Sequence, residues 1–150
     1  MLVVSAWLSV PVFTVIHELG HLLVGIAFGA PISELRLGGG KRLLVLQFGP
    51  NLRLLLGWMP FTGHVEFKWL PISRRQRIAM YAAGVGATFL AAAATCAFPL
   101  HGQTASQAGV LLVVILSGLE NLSTRHPQSG RWSDGEAIRG LLTYKKKLSE

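Results

Sequence analysis

The sequence is poor in charged residues and contains a single cysteine. Asp, Glu, Lys and Arg make up 14% of its 150 residues, whereas a typical soluble domain has about 25%. Because Cys96 has no second cysteine to pair with, a disulfide framework and a cysteine zinc cluster are both excluded. The apolar fraction is 51%. Low charge together with long apolar runs predicts an integral membrane protein.

The net charge of +7 does not indicate a nucleic-acid partner, because the basic residues lie in segments that flank apolar runs. Lys and Arg crowd the segment after the first apolar run and the C-terminus, and they are absent from residues 98–107. The positive-inside rule then places the N-terminus outside and the C-terminus in the cytoplasm. We therefore expect a multi-pass protein embedded in a lipid bilayer, with no nucleic-acid partner.

Three apolar runs predict three transmembrane helices in a single domain of residues 1–150. The runs cover residues 2–30, 73–98 and 108–122, and about 20 apolar residues suffice to cross a bilayer. Residues 123–150 begin as a polar stretch with an Asp-Gly pair and continue as an amphipathic helix that opens with a capping box. The predicted fold is mainly α and integral to the membrane.

The segment 31–71, between the first two predicted helices, has the pattern of a small β element. Residues 43–48 and 52–56 are apolar runs of strand length, and residues 64–69 alternate between apolar and polar side chains. The glycine run 38–40 predicts a turn. A sheet with one apolar face, tethered between membrane helices, is expected to dip into the bilayer against protein. The alternative is a hairpin that lies on the lipid headgroups.

The pentapeptide His17-Glu18-Leu19-Gly20-His21 lies within the first apolar run. Residues four apart share one face of a helix, so His17 and His21 can present two imidazoles to one Zn²⁺ ion. Glu18 is turned about 100° around the helix, where it can take a proton from the water that zinc activates. Polar groups in the middle of an apolar helix are costly and generally functional. The pattern therefore predicts a metal site for peptide hydrolysis.

A catalytic zinc generally takes a third protein ligand. The candidates among the polar residues are Glu120, Asp134, Glu136, His64 and His126. Asp134 is favoured because Gly135 follows it and lets the backbone approach its neighbours closely. A helix start on the surface would also explain these residues. His64, His101 and His126 are otherwise expected to be surface or interface histidines.

The chain resembles the site-2 protease family of intramembrane zinc metalloproteases. Four segments carry the resemblance: the pentapeptide 17–21, the Gly-His-Val-Glu-Phe sequence at 63–67, Ala83-Gly84, and Asn121-Leu122 followed by Asp134-Gly135. The resemblance implies a three-helix catalytic core. We expect this chain to be a minimal form of that core, because an inserted regulatory domain of the PDZ kind does not fit in it. It implies that His17, His21 and Asp134 bind zinc, with Glu18 as the general base.

The resemblance also implies that the strand near Val65 is a membrane-re-entrant element that pairs with an unwound substrate. Gly63, Val65, Phe67 and Asn121 are then the expected substrate-binding residues. Two functions are compatible with this sequence. The first is an intramembrane endopeptidase that cleaves the transmembrane segment of a single-span membrane protein. The second is a catalytically inactive family member that serves as a metal-binding scaffold or partner protein, although metal binding alone does not require Glu18.

Overall fold

Four helices and two long strands make up the described part of the chain. The computed structural model describes residues 2–50, 52–68, 73–97, 104–123 and 133–147. In chain order the elements are α1 (Leu2–Ala27), β1 (Ile32–Phe48), β2 (Leu52–Phe67), α2 (Arg74–Ala97), α3 (Thr104–Ser123) and α4 (Asp134–Lys147). The mainly helical fold is confirmed, and the small β element lies between the first two helices as predicted.

Two of these helices are long and apolar enough to cross a membrane: Trp7–Ala27 of α1 and Arg74–Ala97, which is α2. The apolar part of α3, Gln107–Leu122, is shorter. The helix α3 itself begins at Thr104, earlier than the predicted start at residue 108. Large apolar side chains remain exposed on all three helices, and such outward apolar faces are typical of helices that contact lipid.

The helix ends follow the sequence signals. At the start of α2, the Ser73 backbone N–H donates to Gln76 Oε1 over 2.7 Å, and the Gln76 N–H donates to Ser73 Oγ over 3.3 Å. This reciprocal pair is a complete capping box. At the start of α4, the Glu136 N–H donates to Ser133 Oγ over 3.3 Å. The chain leaves α1 at Gly29, whose φ of 73° is favourable for glycine at a helix C-terminus.

Small residues allow the helices to pack with their backbones close together. A Cβ atom on Gly20 of α1 would lie 2.5 Å from the Ala83 carbonyl oxygen of α2. A Cβ atom on Gly135 would overlap the Leu122 carbonyl at the end of α3. Glycine at these two positions therefore brings α2 against the middle of α1, and the first turn of α4 against α3.

The two strands are longer than the sequence analysis predicts. The glycine run 38–40 does not form a turn, which corrects the prediction, because it lies inside β1. Gly38 and Gly40 have φ values of 92° and 69°, so the strand bends there without ending. The register shifts repeatedly along this sheet, which interrupts the simple alternation expected of each segment. The predicted strand 64–69 ends at Phe67, and Trp69 lies outside the described residues.

The first half of β1 has a neighbour on each side. Leu35 lies opposite both Val65 and Leu54, the latter in the first half of β2. The second half of β1 also pairs with the first half of β2, where Val45 lies opposite Leu55. Within the described residues, segments 42–48 and 63–67 therefore occupy the two edges of the sheet.

The last segment of β2 runs beside α1. A Cβ atom on Gly25 would meet the ring of Phe67. Towards the other end of the helix, the rings of Trp7 and Phe61 pack edge-on with centroids 4.9 Å apart. The strand thus accompanies α1 along most of its apolar length, which places this edge of the sheet next to the helix that carries the pentapeptide.

Candidate metal centre

The helical spacing of His17 and His21 brings their imidazoles together on the inner face of α1. Each residue is only 9% exposed. Their Nε2 atoms lie 3.1 Å apart, and the two rings meet edge-on with centroids 4.7 Å apart. Two nitrogen donors therefore face one point in the interior of the protein.

Asp134, the first residue of α4, supplies a third donor at the same point. Its Oδ2 atom lies 3.0 Å from His17 Nε2 and 3.2 Å from His21 Nε2. At these distances the carboxylate completes a set of three potential metal ligands with the two imidazoles. A carboxylate binds a metal in its ionised form.

The other nitrogen of each imidazole has a partner on α2. His21 Nδ1 lies 2.8 Å from the Met80 carbonyl oxygen, which can only accept, so this nitrogen carries the proton. His17 Nδ1 lies 3.2 Å from Thr88 Oγ1. The Thr88 hydroxyl already donates to the Gly84 carbonyl oxygen over 3.0 Å, so it accepts from His17. In the neutral form of each imidazole, Nε2 therefore presents a lone pair, and this is the tautomer required for binding a metal.

The donor set fits a zinc ion. Two lone-pair nitrogens and a carboxylate oxygen lie 3.0–3.2 Å apart, and neutral imidazoles of this tautomer have no hydrogen to share among them. Such an arrangement of acceptors is favourable when a cation lies between them. In tetrahedral zinc sites with bonds of about 2.0–2.1 Å, neighbouring donors are about 3.3 Å apart. Gly84 leaves the space open, because a Cβ atom there would meet both Nε2 atoms.

Glu18 lies beside this group without belonging to it. The residue is 7% exposed, and its carboxylate accepts a hydrogen bond from the Val65 backbone N–H. Gly63 lies directly against the carboxylate, since a Cβ atom at Gly63 would be 2.6 Å from Glu18 Oε1. The edge segment of β2 thus fixes the orientation of the one carboxylate that the pentapeptide contributes.

The predicted substrate-binding residues surround the same site. A cavity of about 940 Å³ opens over the donor group and is lined by Gly63, Val65, Phe67 and Asn121. Val65 is buried, whereas Phe67 and Asn121 are half-buried. The structure therefore brings all four residues to the cavity that contains the pentapeptide.

The remaining candidates for a third ligand are placed differently. Glu120 lines the cavity but is exposed, and it is not part of the donor group. His64 and Glu136 are also outside that group. His101 and His126 lie outside the described residues. Of the candidates that the structure describes, Asp134 alone reaches the two histidines.

Sequence reasoning did not identify the role of α2. The role of the Met80 carbonyl could not have been predicted from the sequence, because every residue has a backbone carbonyl. Thr88 could have been noticed, because it is the single hydroxyl residue in a run of Ala, Gly and apolar residues from 82 to 94. Hydroxyls in such helices generally bond to a neighbouring helix.

A comparison with known protein families agrees with this geometry. The model of Peptidase family M50 matches residues 5–138. The chain belongs to peptidase family M50. This is the site-2 protease family, so the predicted resemblance to that family is confirmed. Membership supports a metalloprotease role, with zinc as the metal that the family implies.

One relative is a Chlamydia pneumoniae protein whose name describes an inferred zinc metalloprotease. It is 32% identical to this M50 chain over 65 residues, which are 43% of the chain. The match spans only 10% of the length of that protein. The similarity is therefore local, and it does not extend to the whole relative.

Proposed function

We propose that the protein is a zinc-dependent intramembrane endopeptidase that cleaves the transmembrane segment of a membrane-protein substrate. The observation that carries the proposal is the convergence of three lone-pair donors beside Glu18 on an apolar helix. A metal-binding scaffold would need the three donors alone. The buried Glu18 carboxylate, held by a backbone N–H next to them, favours a hydrolase.

In this proposal His17, His21 and Asp134 hold the zinc ion. When bound, zinc supplies Lewis-acid chemistry, which polarises the scissile carbonyl and acidifies water. Glu18 accepts the proton of the attacking water as general base. Its orientation depends on the Val65 N–H, so the strand and the helix together define where that proton goes.

The edge segment 63–67 is proposed to bind the substrate in an extended conformation. A peptide bond within a helix is shielded by its own turn, so a transmembrane segment must unwind before it is cleaved. An edge strand can hold the unwound segment by backbone hydrogen bonds. Because Glu18 already bonds to Val65 on this segment, a peptide that pairs beside it would lie next to the general base.

The same proposal includes three membrane spans, with the N-terminus outside and the C-terminus in the cytoplasm. Helices α1 and α2 are long and apolar enough for two spans, and α3 would be the third. Arg74, Arg75 and Arg77 at the start of α2 support a cytoplasmic location for that end. The sheet follows α1 along its apolar length, which supports its immersion in the bilayer against protein.

The test is cleavage of candidate single-span substrates co-expressed in membranes, with wild-type protein compared to Glu18→Gln. We expect Glu18→Gln to retain zinc and to lose about 10²–10⁴-fold in cleavage rate, because general-base catalysis contributes that much. Glu34→Gln is the matched control, since Glu34 lies in β1 and does not line the cavity. Wild-type turnover by Glu18→Gln would contradict the assignment of the base. A zinc-loaded wild type that cleaves no candidate would favour the scaffold.

A further inference from the structure

The Arg36 side chain bonds to the glycine run 38–40, and it has no role in the reaction proposed above. Arg36 Nε donates a hydrogen bond to the Gly38 carbonyl oxygen over 3.3 Å, and Arg36 Nη2 donates to the Gly40 carbonyl oxygen over 3.2 Å. The positive φ values of Gly38 and Gly40 bend β1 so that both carbonyls reach the same side chain. The bend in β1 therefore holds one guanidinium in a defined place.

That place is in the wall of the catalytic cavity, which Arg36 lines together with Glu18. Arg36 lies opposite His64 in the sheet, and the residue before His64, Gly63, touches the Glu18 side chain. Neighbouring strands are about 4.8 Å apart, and an extended peptide advances about 3.3 Å per residue. A peptide that pairs with the free edge of segment 63–67 would therefore lie two strand spacings, about 9.6 Å, from the backbone of Arg36, whose side chain lines the same cavity.

The charge of Arg36 is not neutralised by an acidic side chain in the described part of the chain. Its hydrogen bonds there go to the two glycine carbonyls, and the ion pairs within 4.0 Å do not include it. A guanidinium has five N–H donors, so three remain to bind another group. The Arg36 side chain is half-buried, and burying a cation without a charged partner is costly. A ligand with a negative charge would offset that cost.

We propose that Arg36 forms a subsite for an Asp or Glu side chain of the substrate, close to the scissile bond. The inference rests on the proposed endopeptidase function and names a feature of its substrates. The planar fork of arginine matches a carboxylate bidentately. A lipid phosphate could make similar bonds. The position of Arg36, in the cavity wall one residue in register from Gly63, favours the peptide.

Binding can be measured without cleavage. Zinc-loaded Glu18→Gln protein in detergent micelles is titrated with fluorescent apolar peptides that carry Glu or Gln at one scanned position. At the position that reaches Arg36, we expect the Glu peptide to bind at least about tenfold more tightly than the Gln peptide, as for a hydrogen bond to a charged group. Adding Arg36→Gln should remove this difference, whereas Arg36→Lys should retain part of it. Arg53→Gln, an exposed arginine of the same sheet that does not line the cavity, should leave it intact.

Equal binding of Glu and Gln peptides at every position, or a preference that survives Arg36→Gln, would overturn the subsite. So would a loss of phosphatidylglycerol binding in Arg36→Gln with peptide binding unchanged, because the occupant would then be a lipid. Cleavage of the same peptides by the wild type tests the function separately. If the preference is seen in binding but nothing is cleaved, the subsite stands and the endopeptidase proposal fails. If the wild type cleaves both peptides at equal rates at every position, the subsite fails and the endopeptidase stands.

Discussion

Gly84 offers the sharpest test of the metal centre, because it touches both histidines and carries no functional group of its own. A Cβ atom at Gly84 would lie 2.9 Å from His17 Nε2 and would overlap His21 Nε2 more closely still. Favourable contacts between non-bonded heavy atoms begin at about 3.5 Å. In Gly84→Ala, His17 must therefore move by about 0.6 Å and His21 by more. Metal–ligand distances generally tolerate about 0.2 Å.

We therefore expect Gly84→Ala to lose at least about 100-fold in zinc affinity, the upper end of the range for changes around metal ligands. The assay is competition with a chelating dye on purified protein in detergent, followed by metal analysis. Gly86→Ala is the control, because a Cβ atom at Gly86 has nothing within 4 Å. Both substitutions replace glycine by alanine within α2, which should favour the helix by roughly 0.5–1 kcal/mol. Loss of helix stability therefore cannot explain a difference between them. Zinc affinity in Gly84→Ala equal to that in Gly86→Ala would show that the ion does not bind between these histidines.

Three further predictions, two of them with a control substitution, test the site and its neighbours. Asp134→Asn is expected to lose zinc while Glu120→Gln keeps it, as measured by metal content, and the reverse result would place the third ligand on α3. Thr88→Val should lower zinc affinity about 10–100-fold, because it removes the hydrogen-bond acceptor for His17 Nδ1. Thr95→Val, whose hydroxyl bonds only within α2 in the described structure, should not lower it. Gly63→Ala should displace the side chain of Glu18, the proposed general base, and reduce kcat about 100-fold with zinc content unchanged. Normal kcat in Gly63→Ala would refute the proposed contact.

The helices could be predicted from the sequence because long apolar runs and capping boxes act locally. The reciprocal bonds between Ser73 and Gln76 join residues three apart, so a four-residue sequence is enough to predict the start of α2. The sheet could not be predicted as well. The glycine run 38–40 has the composition of a turn, yet Gly38 and Gly40 use positive φ to bend a continuing strand. Long-range pairing decides between these outcomes, since Leu35 is held on both sides by residues that follow it in sequence.

The candidate site was predicted to the extent that it depends on helical spacing. His17, Glu18 and His21 share a turn of one helix, so their relative placement follows from 3.6 residues per turn. The third donor does not follow from any local rule, because it depends on the packing of α4 against other helices, including the close approach of Gly135 to Leu122. Five polar residues could have filled that role on sequence alone. The tautomers of His17 and His21 are even harder to predict from the sequence, since they depend on a backbone carbonyl and a hydroxyl of α2. The pentapeptide on an apolar helix therefore indicates the type of chemistry. The positions of the reacting groups are set only when α2, α4 and β2 pack against that helix.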